Sequence, residues 1–248
     1  LYGAGPGQNG PELVLTADDA NLIDDNFNDI VSNVLVERDP KCSGQGNLLD
    51  TAGVGVANPT VEMVTAGDSE TNEADAAEHI ITRDLENQKG AIWTEQKIDF
   101  DESFKISAEI YLGTKDDNGA DGLALVFQAK GNHIVSDGGG LGYQGISPSI
   151  AIEFDTYQNR GAFNDPFNDP VEDHVGLRTD GSPVHTASDY VKVGNLEDGK
   201  YHPITFEWNA GQRTFNLSLD GKQIIKERSI PESGLVGQQV YYGFTAAT

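Results

Sequence analysis

From His79 onward the chain is written in short runs where apolar and polar positions alternate. That period of two is the mark of a pleated strand with one buried face. The runs are His79–Thr82, Gly90–Trp93, Phe104–Leu112, Gly122–Gln128, Ile150–Asp155 and His174–Leu177, then Tyr190–Val193, His202–Trp208, Thr214–Leu219, Lys222–Ile225 and Val240–Phe244. Turn-forming pairs separate them, among them Asp220-Gly221 and the Asn209–Gly211 triplet. Phe215, Leu217 and Leu219 point one way, and Thr214, Asn216, Ser218 and Asp220 the other. This is the one-dry, one-wet pattern of an antiparallel sheet packed on a second sheet. No stretch carries an apolar period of 3.6. The pattern therefore predicts an all-β fold, an antiparallel jelly-roll sandwich.

Before His79 the pattern is looser. Leu1–Gly10 and Lys41–Ala57 are rich in glycine, and Glu12–Thr16 and Asn33–Glu37 are candidate strands. Asp18–Asp29 is crowded with Asp and Asn but lacks the glycine and terminal glutamate of an EF-hand, so it reads as a solvated loop. Gly67–Ala77 is polar and acidic, a linker or long loop. The expected division is an N-terminal extension, residues 1–75, able to add strands to the sandwich, followed by one domain over residues 76–248.

The densest chemistry lies in Ser149–Gly176. Ile150, Ile152 and Phe154 share one face of a strand, and Glu153 and Asp155 share the other. Tyr157 and Asn159 continue that parity into a loop carrying Asp165, Asp169, Glu172 and Asp173, which ends at His174. Acids two apart on a strand repel unless a cation or base lies between them. Within this stretch Arg160 is the only base, so a bound cation is the better expectation. Carboxylate, amide and backbone oxygens suit calcium, while a site that adds an imidazole suits a transition ion.

Charge narrows the partners. The 248 residues carry 40 acids against 16 bases, a net charge of −24, and are 37% hydrophobic, enough for a sizeable core. Nucleic acid and an anionic membrane surface are excluded as partners, since both are bound through clustered Lys and Arg. No apolar run is long enough for a membrane span, so no insertion is expected. Cys42 is the sole cysteine, which rules out an internal disulfide and shows no zinc spacing. The first residue is Leu rather than Met, which suggests a processed or trimmed chain.

At Ser149–Gly176 the residues also carry a resemblance. IEFDTYQN followed by DPVEDHVGL resembles the metal-binding segment of the L-type (legume-like) lectins, a V-E-F-D-T-x-x-N strand followed by Asp-Pro and His-Ile/Val-Gly. NQKGAIWTEQKIDF (Asn87–Phe100), GADGLALVFQ (Gly119–Gln128), DGGGLGYQG (Asp137–Gly145) and VYYGFTAAT (Val240–Thr248) resemble further pieces of that family in the same order. The resemblance covers roughly Ala76 to Thr248 and implies a concanavalin-like domain that binds carbohydrate with the help of calcium. By position, Asp155, the Tyr157 carbonyl, Asn159 and Asp169 would hold calcium, with Asp165 as the alternative loop acid. Glu153, Asp155, Asp169 and His174 would hold a neighbouring Mn2+-like ion. Asp121, Gly139, Gly140, Tyr157 and Asn159 would face a mono- or oligosaccharide. The family also implies a cis bond between Ala120 and Asp121.

Two other classes compete. A jelly-roll glycoside hydrolase would need an E-x-D-x-x-E strand; Glu153 and Asp155 fit, but the third place is Gln158, and an amide cannot serve as the second carboxyl. The sequence therefore predicts a non-catalytic protein. A structural or adhesive module could keep the fold and calcium without a sugar pocket. Secretion or display on a cell surface, within a larger surface assembly and for attachment, completes the expectation.

Overall fold

The computed structural model describes residues 27–38, 61–116, 119–136, 138–159, 167–186, 188–230 and 234–248. Two antiparallel sheets face each other, as the alternation predicts. One has the order β14 (Lys222–Ser229), β13 (Thr214–Leu219), β12 (His202–Asn209), β7 (Phe104–Tyr111), β1 (Phe27–Arg38), β4 (Glu78–Arg83), β3 (Glu70–Thr71). The other has the order β11 (Tyr190–Lys192), β10 (His174–Thr179), β9 (Ser149–Asp155), β8 (Gly122–Gln128), β15 (Gln239–Ala247), β5 (Lys89–Thr94), β2 (Met63–Gly67). The short β6 (Ile98–Asp99) pairs with β15.

Every strand expected from His79 onward is present, with ends shifted by a few residues. Three differences lie upstream or in short elements. Gly67–Ala77, read as a linker, contains β3, which pairs with β4 through Glu70 and Thr71. The strands β2 and β6 are too short or too weakly alternating to stand out in the sequence. Asn33–Glu37 falls inside a longer strand, β1, which begins within the stretch read as a solvated loop: Asp29 is fully buried and accepts a hydrogen bond from Thr82 Oγ1 at 2.6 Å. Glu12–Thr16 lies outside the described residues.

Strand β1 is wedged between β4 and β7. Its pairing with β7 slips by one residue between Ser32 and Leu35. A bulge of this kind changes the parity of a strand, which lets Val31 and Val34, three apart, both enter the main core.

The core between the sheets is aromatic. Phe104, Phe127, Phe206 and Phe215 pack against one another, and Trp208 lies on Phe100 while donating its indole N–H to the Phe100 carbonyl at 2.9 Å. Ile150, Ile152 and Phe154 of β9 point into this core. The opposite face of β9 is also buried, which alternation alone does not predict for an antiparallel sheet. The loop before β9 covers it: Leu141, Tyr143 and Ile146 pack on Trp93, Val126 and Ala151. The loop is pinned by Trp93 Nε1 donating to the Ile134 carbonyl and Thr245 Oγ1 to the Leu141 carbonyl. Glu153 and Asp155 therefore sit in a dry layer rather than in solvent.

Candidate functional site

Strand register assembles the site. Asp155 stands opposite His174 on β10 and Gly122 on β8, and Glu153 stands opposite Gly176. Parity then places Glu153, Asp155, His174 and Arg178 on one face. The loop after β9 folds back over them. Gln158 Nε2 donates to the Asp169 carbonyl at 2.9 Å, and the Asn159 backbone N–H donates to Asp169 Oδ2 at 3.0 Å. Gln158 is thus a fastener of the loop. A second strap holds the other flank, where the His185 N–H donates to the Phe167 carbonyl and Asn168 Nδ2 to the His185 carbonyl.

Asp155, Asp169, His174 and His185 offer ligand atoms that all lie within 4.8 Å of one another, and all four residues are buried. His185 is the member that sequence reasoning missed. Burial first, then the charges of Glu153 and Asp169, push the Asp155 carboxyl well above the ordinary carboxylate range. Such crowding is what a cation relieves.

Glu153 is placed differently. Its Oε1 accepts from the Tyr143 hydroxyl at 2.5 Å and its Oε2 from Arg178 Nε at 2.7 Å, with His185 Nε2 3.3 Å away. The base that balances Glu153 lies two residues beyond the stretch searched for one. The parity of His174, Gly176 and Arg178 along β10 was the signal that could have found it. The two histidines also differ. Burial first, then the neighbouring His185 charge, lower the His174 pKa to about 4. At His185 burial opposes the charge, but the carboxylates of Asp169 and Glu153 outweigh it and raise the pKa to about 9.

Asn159 joins this cluster to a second group. Its Nδ2 donates to Asp121 Oδ1 at 2.7 Å, while its Oδ1 is shielded from solvent with no hydrogen-bond donor. Asp121 follows the cis Ala120–Asp121 bond, is 5% exposed, and is tied by its N–H to the Ala247 carbonyl at 2.9 Å. Burial pushes the Asp121 carboxyl up, against the pull of the Asn159 hydrogen bond. Gly139 lies hard against Asn159, since a Cβ there would stand 2.6 Å from Asn159 Nδ2. The close approach of Gly140 is to Gln144 within its own loop. Tyr157, two residues before Asn159, is 40% exposed, and its backbone N–H donates to Asp155 Oδ1 at 3.1 Å.

Of the remaining loop acids, Glu172 pairs with Lys192 at 2.6 Å and Asp173 accepts from the Leu196 N–H at 2.8 Å, so both are engaged elsewhere. Asp165 lies outside the described residues. The arrangement fits calcium: Asp155, Asp169 and the donor-less Asn159 Oδ1 supply hard oxygens. The third place of the hydrolase pattern is held by Gln158, whose amide is tied to the loop through the Asp169 carbonyl.

Comparison with known proteins gives three findings. A family model described as the legume lectin β-barrel domain matches residues 56–248. Among solved structures, lectin II from Ulex europaeus is 21% identical with a TM-score of 0.61, covering 74% of this chain and 83% of that one. Peanut lectin, solved with a nine-residue peptide, is 18% identical with a TM-score of 0.61, covering 87% and 90%. Among curated relatives, a Bacillus thuringiensis protein, pesticidal crystal protein Cry22Aa, is 41% identical over 80 residues, 32% of this chain and 11% of that protein. A serine-rich adhesin for platelets from Staphylococcus aureus is 30% identical over 107 residues, 42% of this chain and 5% of that protein. The chain therefore spans only a small part of the curated relatives it matches.

Proposed function

Because this chain belongs to the legume lectin β-barrel (L-type) domain family, we propose that it is a non-catalytic lectin-like domain that binds carbohydrate through a calcium-organised site. Asp155, the Tyr157 carbonyl, Asn159 Oδ1 and Asp169 hold the calcium in this reading. The ion fixes the loop and removes the mutual repulsion of the buried acids. Asp121 accepts hydrogen bonds from sugar hydroxyls, charge-assisted and so stronger than neutral ones. Tyr157 offers its ring to the apolar face of the sugar, and Gly139 and Gly140 allow a close approach of backbone N–H groups. The observation that carries the reading is the double engagement of Asn159: its amide nitrogen holds Asp121, its backbone holds Asp169, and its remaining oxygen lacks a donor. One side chain thereby couples the ion to the sugar acceptor. Preorganisation of this kind is what a weakly binding monosaccharide needs.

The chain's likeness to lectin UEA-II, solved as a complex with galactose, supports the class of ligand. Similarity to staphylococcal adhesins supports a place within a larger protein on the cell surface or outside the cell, serving attachment. A glycan array run with and without calcium tests the reading. Asp121→Ala removes the charge-assisted acceptor, for which a loss of about 1.5–3 kcal/mol, roughly ten- to a hundredfold in affinity, is expected. Calcium-dependent binding that survives this substitution unchanged would rule out the assigned pocket. Calcium uptake with no glycan signal at all would favour a structural or adhesive module that keeps the fold alone.

A further inference from the structure

In the proposed pocket Asp121 must present its oxygens from a backbone that is held still. On its own peptide units the holding is plain. Its N–H donates to the Ala247 carbonyl at 2.9 Å, and its carbonyl accepts from the Thr156 N–H at 3.3 Å. Upstream the chain arrives through Gly119, which has no side chain to anchor it. Gly119 donates its N–H to the Lys115 carbonyl at 2.6 Å, and a second support comes from outside the loop. The Glu197 carboxyl rests on it: a Cβ at Gly119 would stand 1.8 Å from Glu197 Oε1 and 3.0 Å from the carboxyl carbon. The Thr156 hydroxyl interacts with the same carboxyl. One side chain therefore touches both segments that frame Asp121, the turn before it and the residue that binds its carbonyl.

Glu197 is itself braced. Its N–H donates to Asn195 Oδ1 at 2.7 Å. The loop that carries it, between β11 and β12, is tied on one side to Asp173, whose carbonyl accepts from the Val193 N–H at 2.9 Å and whose Oδ2 accepts from the Leu196 N–H at 2.8 Å. On the other side the Gly199 N–H donates to the Gly113 carbonyl at 3.0 Å. Glu197 is buried, and its Oε2 has no hydrogen-bond partner among the described residues. A buried carboxyl serving stability alone would have both oxygens bonded. Here one oxygen lies against Gly119 and the other has no donor, so its place is explained by what it props.

We propose that Glu197 is a positioning residue of the carbohydrate site: its carboxyl props Gly119 and Thr156 and so fixes where Asp121 presents its oxygens. Being buried, it touches no sugar itself. The inference rests on the reading of Asp121 as the sugar acceptor, whereas the prop can be measured without any sugar.

Two measurements on the full chain, both in saturating calcium, separate the prop from the pocket. The first is amide hydrogen exchange followed by NMR. In Glu197→Ala the Asp121 and Thr156 amides should exchange about tenfold faster than in the wild type, while those of Leu125 and Val126 in β8 keep their rates. Glu197→Gln keeps the length and shape of the side chain, and its Asp121 and Thr156 amides should exchange no faster than in the wild type. Unchanged Asp121 and Thr156 amides in Glu197→Ala would overturn the proposal. So would a rise shared equally by β8, which marks a global loss of stability. The second is glycan binding: Glu197→Ala should bind about tenfold more weakly at unchanged calcium content, and Glu197→Gln within about twofold of the wild type. Wild-type affinity in Glu197→Ala would overturn the positioning role. If Glu197→Ala does not fold, Glu197→Asp, one methylene shorter and so withdrawn from Gly119, carries the same expectations. A wild type that binds no glycan would remove the carbohydrate reading, and the exchange pattern alone would then decide whether Glu197 props the loop.

Discussion

Two buried glutamates in this fold show what a counter-charge does for a carboxyl. Glu153 lies against Arg178, and breaking such a pair from one side costs about 3–5 kcal/mol because the survivor is stranded. Glu197, 3% exposed, has the opposite surroundings. Burial first, then the charges of Asp173, Asp29 and Asp116, raise its pKa to about 8, with the Thr156 hydroxyl pulling slightly back. Its carboxyl presses on the backbone, since a Cβ at Gly119 would stand 1.8 Å from Glu197 Oε1. The folded state therefore keeps a proton that the unfolded state releases near 4.5, the ordinary value for a glutamate. Stability contributed by the protonated form is lost as pH rises from about 4.5 toward 8. Glu197→Gln removes that dependence, so the variant should gain on the wild type between pH 5 and pH 8 in urea unfolding. A difference that stays constant across this range would show that Glu197 does not titrate as described. At this scale the sequence was informative wherever residues share a strand. Glu153, Asp155, Asn159 and His174 could be read from parity and spacing. His185 could not, because it sits in a loop between β10 and β11 and is brought to the cluster by long-range bonds to Phe167 and Asn168.

Strands with clean alternation were legible almost to the residue, as β12 and β13 show. Strand β1 was not, because its bulge breaks the period of two within a segment crowded with Asp and Asn. Its place between β4 and β7 is a long-range pairing that no local pattern encodes. The packing is nonetheless specific: Ile30, 2% exposed, joins Ile80 and Tyr111 in a cluster apart from the main core. Ile30→Ala should therefore destabilise the domain by about 2–5 kcal/mol, the usual cost of emptying a buried isoleucine site. Urea unfolding measures it, and an effect below about 0.5 kcal/mol, the size of a surface substitution, would mean that β1 does not pack in this register. The dry layer over Glu153 and Asp155 was equally hidden, because the covering loop is rich in glycine and its turn chemistry gives no hint of what it lies on.

Over the whole molecule, a net charge of −24 works against compaction, and the sharpest part of that repulsion is gathered where β9 frays into its loop. A calcium ion bound only by the folded chain stabilises it by mass action, about 2.7 kcal/mol at a hundredfold excess over Kd. For a domain of this size each kcal/mol moves the melting temperature by about 2–4 °C. The most direct test is thermal unfolding of the same preparation in saturating calcium and in chelator, followed by return of calcium. A rise of about 5–10 °C with calcium, reversed by chelator and restored on return, is the expected result. Identical melting curves in all three conditions would contradict a cation held between Asp155, Asn159 and Asp169.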